Sequence, residues 1–229
     1  MKQVQLRLLS DATFGRGDGV PGLVDNEIEY DQQSGLPRVK GRTLKGLITE
    51  ECSNLLFAMI SFADRKSLEQ LHHSAQMLFG SPGSRDEDEG RLHFGTGSLH
   101  PQILYAIERE MSRPGSALTA DEVLMAATGV RRQSAVDHAS DAPASETLRS
   151  ARVLVRETVF FFPLTELSPL NNEDWQLLTV CVATLRRGGK NRNRGCGRLE
   201  CRLFDNDQDR TIQWSDELLN RVFNTGEAP

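Results

Sequence analysis

Four carboxylates occupy every second position in "VDNEIEYD": Asp25, Glu27, Glu29 and Asp31. An extended chain would show all four on one side. Such a row can hold a divalent metal or activate a nucleophile, and it also reads as the wet face of an edge strand. Two basic groups stand elsewhere. "PRVKGRTLKG" sets Arg38, Lys40, Arg42 and Lys45 before or within the first turn of a helix, where cations oppose the macrodipole unless an anion is bound there. "GGKNRNRGCG" sets Lys190, Asn191, Arg192, Asn193 and Arg194 among glycines that would let the backbone approach an extended phosphate chain. A solvated, hairpin-like loop is the other reading of that stretch. It is not a P-loop, because Asn191 stands where a hydroxyl residue is required and the loop follows a helix and precedes a strand.

These groups must be judged against a chain of net charge -5, which argues mildly against general nucleic-acid binding. The charge is segregated, however. From Arg186 to Arg202 seven basic residues face one acid, Glu200, while acids gather in "DNEIEYD" and "RDEDEG". At 229 residues the chain can bury one large core, and two independent domains are the weaker reading. With no apolar run of membrane length and an alternating N-terminus, a cytoplasmic protein is expected. The four cysteines form no CxxC pair or Cys/His ligand set, so free thiols are expected. His72, His73, His93, His100 and His138 show no ligand spacing, and no GxSxG elbow exists.

The elements that would position these residues follow from periodicity. Val4, Leu6 and Leu8 alternate as an opening strand. From Thr43, expected as the cap, Leu44, Leu47, Ile48, Leu55, Leu56, Met59 and Ile60 recur at helical spacing. A second helix is expected over Asp64–Phe79 with Gly80 as its stop. "GSPGSRDEDEG" reads as an exposed loop, "GRLHFGTG" as a short strand, and Thr119 with Glu122 as a capping box. "ARVLVRETVFFFPL" marks a strand or strand pair. Asn172 is expected to cap a helix that ends with Arg186 and Arg187 in its last turn. "RLECRLF" reads as a strand, and a closing helix is expected over Asp216–Phe223 after Ser215. Strands and helices mixed without strict alternation predict an α+β fold with helices on one face of the sheet.

Four motifs then occur in a familiar order. "LPRVKGRTLKGLITEEC" resembles the proline-glycine-serine-serine-leucine-lysine-glycine signature of the RAMP superfamily. "LFGSPGSRDEDEGRLHF" resembles that family's Leu-Phe-Gly segment, variable loop and Gly-Arg-Leu strand. "LRRGGKNRNRGCGRL" resembles its C-terminal glycine-rich loop. "GVRRQSAVDHASDAPASETLRSARVLVRETVFFFPL" is similar to the thumb and following strand of backbone subunits in type III CRISPR-Cas effector complexes, so the resemblance covers most of residues 1 to 204. Lys40 stands in place of the usual proline, Arg42-Thr43 in place of the paired serines, and Phe14-Gly15 in place of a His-x-Gly.

The resemblance implies a modified ferredoxin-like (RRM-like) palm with an inserted thumb hairpin and helical elaborations. It implies one RAMP domain over 1–229, with palm about 1–128 and 151–229 and thumb about 129–150. The implied partners are a guide RNA, a complementary target RNA, further copies of the chain and other RAMP subunits. In the cutting members an aspartate precedes the proline-glycine motif, with a second six residues later. Asp25 and Asp31 match, which implies Asp25 as the catalytic residue and both as holders of a divalent metal, Mg or Mn. Arg38, Lys40, Arg42 and Lys45 would hold guide backbone, Arg131, Arg132 and Arg149 would serve the thumb, and Lys190, Asn191, Arg192 and Arg194 would form the opposite wall of an RNA groove. A-form RNA held through phosphates and 2'-hydroxyls requires no base-specific contact. A non-catalytic scaffold or end-capping subunit, and a guide-processing endoribonuclease of the same superfamily, remain alternative readings.

Overall fold

A computed structural model of the chain describes residues 1–81, 89–134, 136–137, 142–143 and 147–224. β1 (Lys2–Leu8) buries Val4, Leu6 and Leu8, the alternation its sequence shows. Helix α1 (Gly41–Met59) follows, then α2 (Arg65–Phe79) and the short β2 (Leu92–Phe94). Next come α3 (Pro101–Met111), α4 (Ala120–Ala127), β3 (Thr128–Gln133), β4 (Val136–Asp137), β5 (Ala142–Pro143) and β6 (Arg149–Leu154). The chain closes with β7 (Val159–Glu166), α5 (Asn172–Thr184), β8 (Leu199–Asp205), β9 (Gln208–Asp209) and α6 (Thr211–Asn224).

The main sheet has the order β2-β7-β1-β8-β9, and its pairings are antiparallel. Setting β9 aside, α1 and α2 connect β1 to β2 while α5 connects β7 to β8. That is the βαββαβ order of a ferredoxin-like palm, as expected. α1 and α2 pack against α5, and α5 packs against β8 and α6. Leu44, Ile48, Cys52 and Leu56, spaced by four along α1, meet Leu177, Leu178 and Cys181 of α5 over the inward row Phe160, Phe162, Leu199, Cys201 and Leu203. Truncating a fully buried phenylalanine such as Phe160 or Phe162 typically costs about 3–5 kcal/mol. All four cysteines are buried free thiols.

Between β2 and β7 the chain inserts α3, α4 and a hairpin. β3 and β6 pair from Thr128↔Leu154 to Gln133↔Arg149, and β4 and β5 continue with Val136↔Pro143 and Asp137↔Ala142. This ladder spans the stretch over which the resemblance implies a thumb, 129–150, of which residues 135, 138–141 and 144–146, His138 among them, lie outside the described residues. Most of the expected exposed loop, at 82–88, lies outside them as well.

Several boundaries differ from expectation. α1 starts two residues before Thr43, with Lys40 at the cap position and no side-chain cap. Gly41 begins it because the backbone there lies against β2's end, where a Cβ would sit 1.9 Å from the Phe94 carbonyl oxygen. α5 is capped by Asn171, not Asn172. Asp174 N–H donates to Asn171 Oδ1 (2.8 Å) and Asn171 N–H donates to Asp174 Oδ2 (2.9 Å), a reciprocal box that needs the acid three residues on. α5 also ends at Thr184, leaving Arg186 and Arg187 beyond it. α6 starts at Thr211, so Ser215 lies inside it. Trp214, Leu218 and Val222 repeat every four residues, and Trp214 packs beside Trp175 with 6.5 Å between ring centroids. α3 was not expected, and none of its residues is buried.

Candidate nucleic-acid interface

The acidic segment does not form the wet edge face that its spacing allows. Residues 24–27 lie along β6: Asp25 and Asn26 N–H donate to the Ser150 carbonyl (3.0 and 3.2 Å), and Arg152 N–H donates to the Asn26 carbonyl (2.9 Å). Glu27 turns inward, with its side chain 1% exposed. Its Oε1 accepts from Arg152 Nε at 2.7 Å and from Ile28 N–H at 2.9 Å, while the same guanidinium donates to Thr128 Oγ1 at 3.2 Å. Paired and hydrogen-bonded in this way, two buried charges are tolerated.

Asp25 itself is exposed. Ser150 N–H and Oγ–H both donate to its Oδ2, at 2.6 and 3.0 Å, and Oδ1 receives no hydrogen bond among the described residues. The Ser150 N–H is the main cause, with the Ser150 hydroxyl and the nearby Arg149 charge assisting, that holds this carboxyl below the usual carboxylate range. Asp31 is placed differently. Oδ1 accepts from Ser34 N–H and Oγ–H at 2.9 Å each, and Oδ2 meets the Arg38 guanidinium at 2.7 Å. Ser34 N–H chiefly lowers its pKa. Both oxygens of Asp31 are thus engaged by neighbouring residues of the chain. No three His, Cys, Asp or Glu residues stand together as a metal cluster among the described residues.

The predicted basic residues divide into three sets. The first lines a groove of about 720 Å³: Arg131 of β3 and Arg149 of β6 border it with Lys190, Asn191 and Arg194 of the glycine loop and with Asn26 and Ser150. Arg131 also pairs with Asp11 at 2.9 Å, Lys190 Nζ–H donates to Asn26 Oδ1, and Asn191 Nδ2–H donates to Gln133 at 3.5 Å. The second is Arg132, which lines an adjoining recess of about 500 Å³ with Asp25, Leu23 and Leu148. Ser150, the residue that holds Asp25, borders both spaces.

The third set does not line the groove. Arg38 pairs with Asp31, Lys40 with Glu29 at 2.7 Å, and Arg192 with Glu50 at 3.0 and 2.7 Å, which ties the glycine loop to α1. Arg42 and Lys45 lie in the first turns of α1. In this groove the residues facing the glycine loop come from β3 and β6, and those of α1 do not line it. The anion expected for "PRVKGRTLKG" is supplied in part by the chain itself, since the Tyr30↔Pro37 bridge sets Glu29 and Asp31 across from Lys40 and Arg38. No hydrogen bond or ion pair involves the side chains of Arg42, Lys45, Arg132, Arg149 or Arg194 among the described residues.

The glycine loop is a short hairpin-like excursion. Arg187 pairs with Arg198, Gly188 N–H donates to the Gly197 carbonyl (2.9 Å), and Lys190 N–H donates to the Thr13 carbonyl (2.8 Å). Gly197 has φ +68, and a Cβ there would lie 2.0 Å from the Gly188 carbonyl oxygen, so this glycine serves the chain's own packing. Sequence reasoning missed Asp11, Asn26, Gln133, Ser150 and Arg152. The only local hint was the polar character of residues flanking the motifs.

The sheet order and the insertion between β2 and β7 define a mixed α/β chain with a modified ferredoxin-type fold. Among the solved structures that share it are two cryo-EM structures. One is the type III-B Cmr-beta bound to cognate target RNA, at TM-score 0.60 and 12% identity over 88% of this chain and 96% of that one. The other is the type III-B Cmr-beta in the apo state, at TM-score 0.62 and 12% identity over 90% and 98%. At this identity the likeness is one of fold. No protein-family model matches the sequence, and no curated protein matches it as a relative. No helix is long and apolar enough to cross a membrane among the described residues.

Proposed function

We propose that the chain is a RAMP-type subunit of a type III CRISPR effector complex, that its groove holds guide RNA paired with target RNA, and that Asp25 directs metal-dependent cleavage of the target. The observation that carries this reading is the convergence of Arg131, Arg149, Lys190 and Arg194 on one groove, with Asp25 fixed to a residue of that groove's floor. The fold shared with subunits of the Cmr-beta complexes supports the same assignment. The partners are the two RNA strands, further copies of the chain and other RAMP subunits, and the compartment is the cytoplasm.

In the cleavage step the ribose 2'-hydroxyl attacks its own 3'-phosphate and the bond to the 5' oxygen of the next nucleotide breaks. The products are a 2',3'-cyclic phosphate and a 5'-hydroxyl. Asp25 is held ionised, so it is a weak base near neutrality and suits orienting the hydroxyl or holding a cation better than abstracting a proton. Magnesium keeps several waters and takes one or two carboxylates together with substrate phosphates. One carboxylate with Oδ1 unengaged fits that mode, and the ion would supply Lewis-acid stabilisation of the phosphate charge. Arg132 and Arg149 would hold the flanking phosphates.

Assembly of the complex with Asp25→Ala tests the reading: assembly and RNA binding persist while target cleavage disappears. Continued cutting by that variant would sink the catalytic role and leave a scaffold. Metal-independent cutting of free repeat RNA would favour the guide-processing alternative, which lacks a base here because no histidine lines either space among the described residues.

A further inference from the structure

The basic run from Arg186 to Arg202 is split by the fold. At its tip Lys190, Asn191 and Arg194 line the groove described above, while Arg192 pairs with Glu50. Its base lines a separate recess of about 480 Å³, bounded by the end of α5, the first half of β8 and the start of α6. Arg186, Arg187, Arg198 and Arg202 all border it, with Thr211 and Ile212 at the first turn of α6. Arg202 is already paired with Glu200 (2.9 Å) and Asp209 (3.4 Å). Arg186, Arg187 and Arg198 are exposed and form no ion pair among the described residues. Three like charges held on adjacent backbone repel one another, and the fold fixes them there: Leu199 N–H donates to the Arg186 carbonyl at 3.0 Å, and Arg187 bridges Arg198.

We infer that this recess is a second phosphate-binding subsite, through which an RNA strand leaving the groove continues past the glycine loop. The inference rests on the groove reading above. Guanidiniums suit phosphate because their planar fork donates two parallel hydrogen bonds. RNA is favoured over an acidic peptide by continuity: one excursion of chain lines both spaces, and Arg187 Nη1–H reaches back to the Arg192 carbonyl (3.4 Å) at the loop's tip. At the start of α6 the Thr211 N–H is taken by Asp209 Oδ1 (2.9 Å), and Asp209 and Glu200 also border the recess, so its free charge is that of the three arginines without an ion pair among the described residues.

The test measures binding of oligouridylates of about 6 and about 16 nucleotides to the full chain across a salt series. The triple variant Arg186→Ala, Arg187→Ala, Arg198→Ala should bind the short strand like the parent. On the long strand it should lower the slope of log affinity against log salt by roughly 2, at about 0.7 per phosphate contact. The corresponding triple lysine variant should restore most of the slope. An unchanged slope on both lengths overturns the inference. So does self-association of the alanine variant without a change in slope, which would make these arginines guards of the part of β8 that β9 leaves uncovered. Uptake of poly-glutamate with unaltered RNA slope overturns it in favour of an acidic polypeptide. A parallel variant, Arg149→Ala with Arg194→Ala, separates the two readings. Loss there alone sinks the second subsite, whereas loss only in the triple variant keeps the subsite and sinks the groove.

Discussion

Arg152 Nε donates to Glu27 Oε1 at 2.7 Å with the two side chains only 8% and 1% exposed, and this pair fastens the Asp25 segment to β6. Asp25 two residues earlier and Ser150 two residues earlier then meet in the same register.

Removing one member should be costly, because the survivor is left charged and buried. Glu27→Ala is expected to lose about 3–5 kcal/mol in chemical denaturation. The double variant Glu27→Leu, Arg152→Met should lose less than either single change. Equal or additive losses would show that the pair is not coupled.

The pH behaviour of Asp25 follows from its lowered pKa. A carboxyl whose folded pKa lies below its unfolded value contributes stability above the unfolded pKa and loses it as pH falls through the folded one. Docking on Ser150 should therefore be intact from neutrality down to about pH 5 and fail only in stronger acid. A pH–rate profile of target cleavage should show no acidic limb from this group above that point. A limb near neutrality that vanishes in Asp25→Asn would contradict it.

Arg192 and Arg194 are two residues apart but differ in engagement. Arg192 is bound to Glu50, whereas Arg194 lines the groove without an ion-pair partner among the described residues. Arg194→Ala should weaken RNA binding several-fold more than Arg192→Ala and lower the salt slope by about 0.7. Since Arg192 and Glu50 are both substantially exposed, Arg192→Ala should cost no more than about 1 kcal/mol of stability. Equal loss of binding from the two variants would deny the distinction.

Gly197→Ala should destabilise the glycine loop, since it asks for both a left-handed backbone and space already held by the Gly188 carbonyl. Strain of this kind costs about 1–3 kcal/mol. Faster amide exchange confined to 186–199, with weaker RNA binding, is the expected signature. Unchanged exchange would mean that the loop is held by its other contacts.

Much of the fold was legible because local rules agreed with tertiary need. The alternation of Val4, Leu6 and Leu8, the Thr119 box and the inward row of "RLECRLF" each state their burial in adjacent residues. The cap of α5 was legible as well, had the acid at Asp174 been paired with Asn171. α3 carries a helical stripe, Ile103, Leu104, Ile107 and Met111, that went unread in the sequence, and none of its residues is buried. The sequence by itself determined the order of the palm elements and which residues are charged, glycine or aspartate at the motif positions.

Tertiary structure alone decided which charges are free. Glu27 and Arg152 are 125 residues apart, and Glu50 and Arg192 are 142 apart, so no local period could show that each acid neutralises its base. Spacing by two placed Asp25, Glu27, Glu29 and Asp31 on one side of an imagined strand. The fold sends them to a serine, a buried arginine, Lys40 and Arg38 in turn. A charge is available to a ligand only where the folded chain leaves it unpaired, and that depends on distances the linear sequence does not contain.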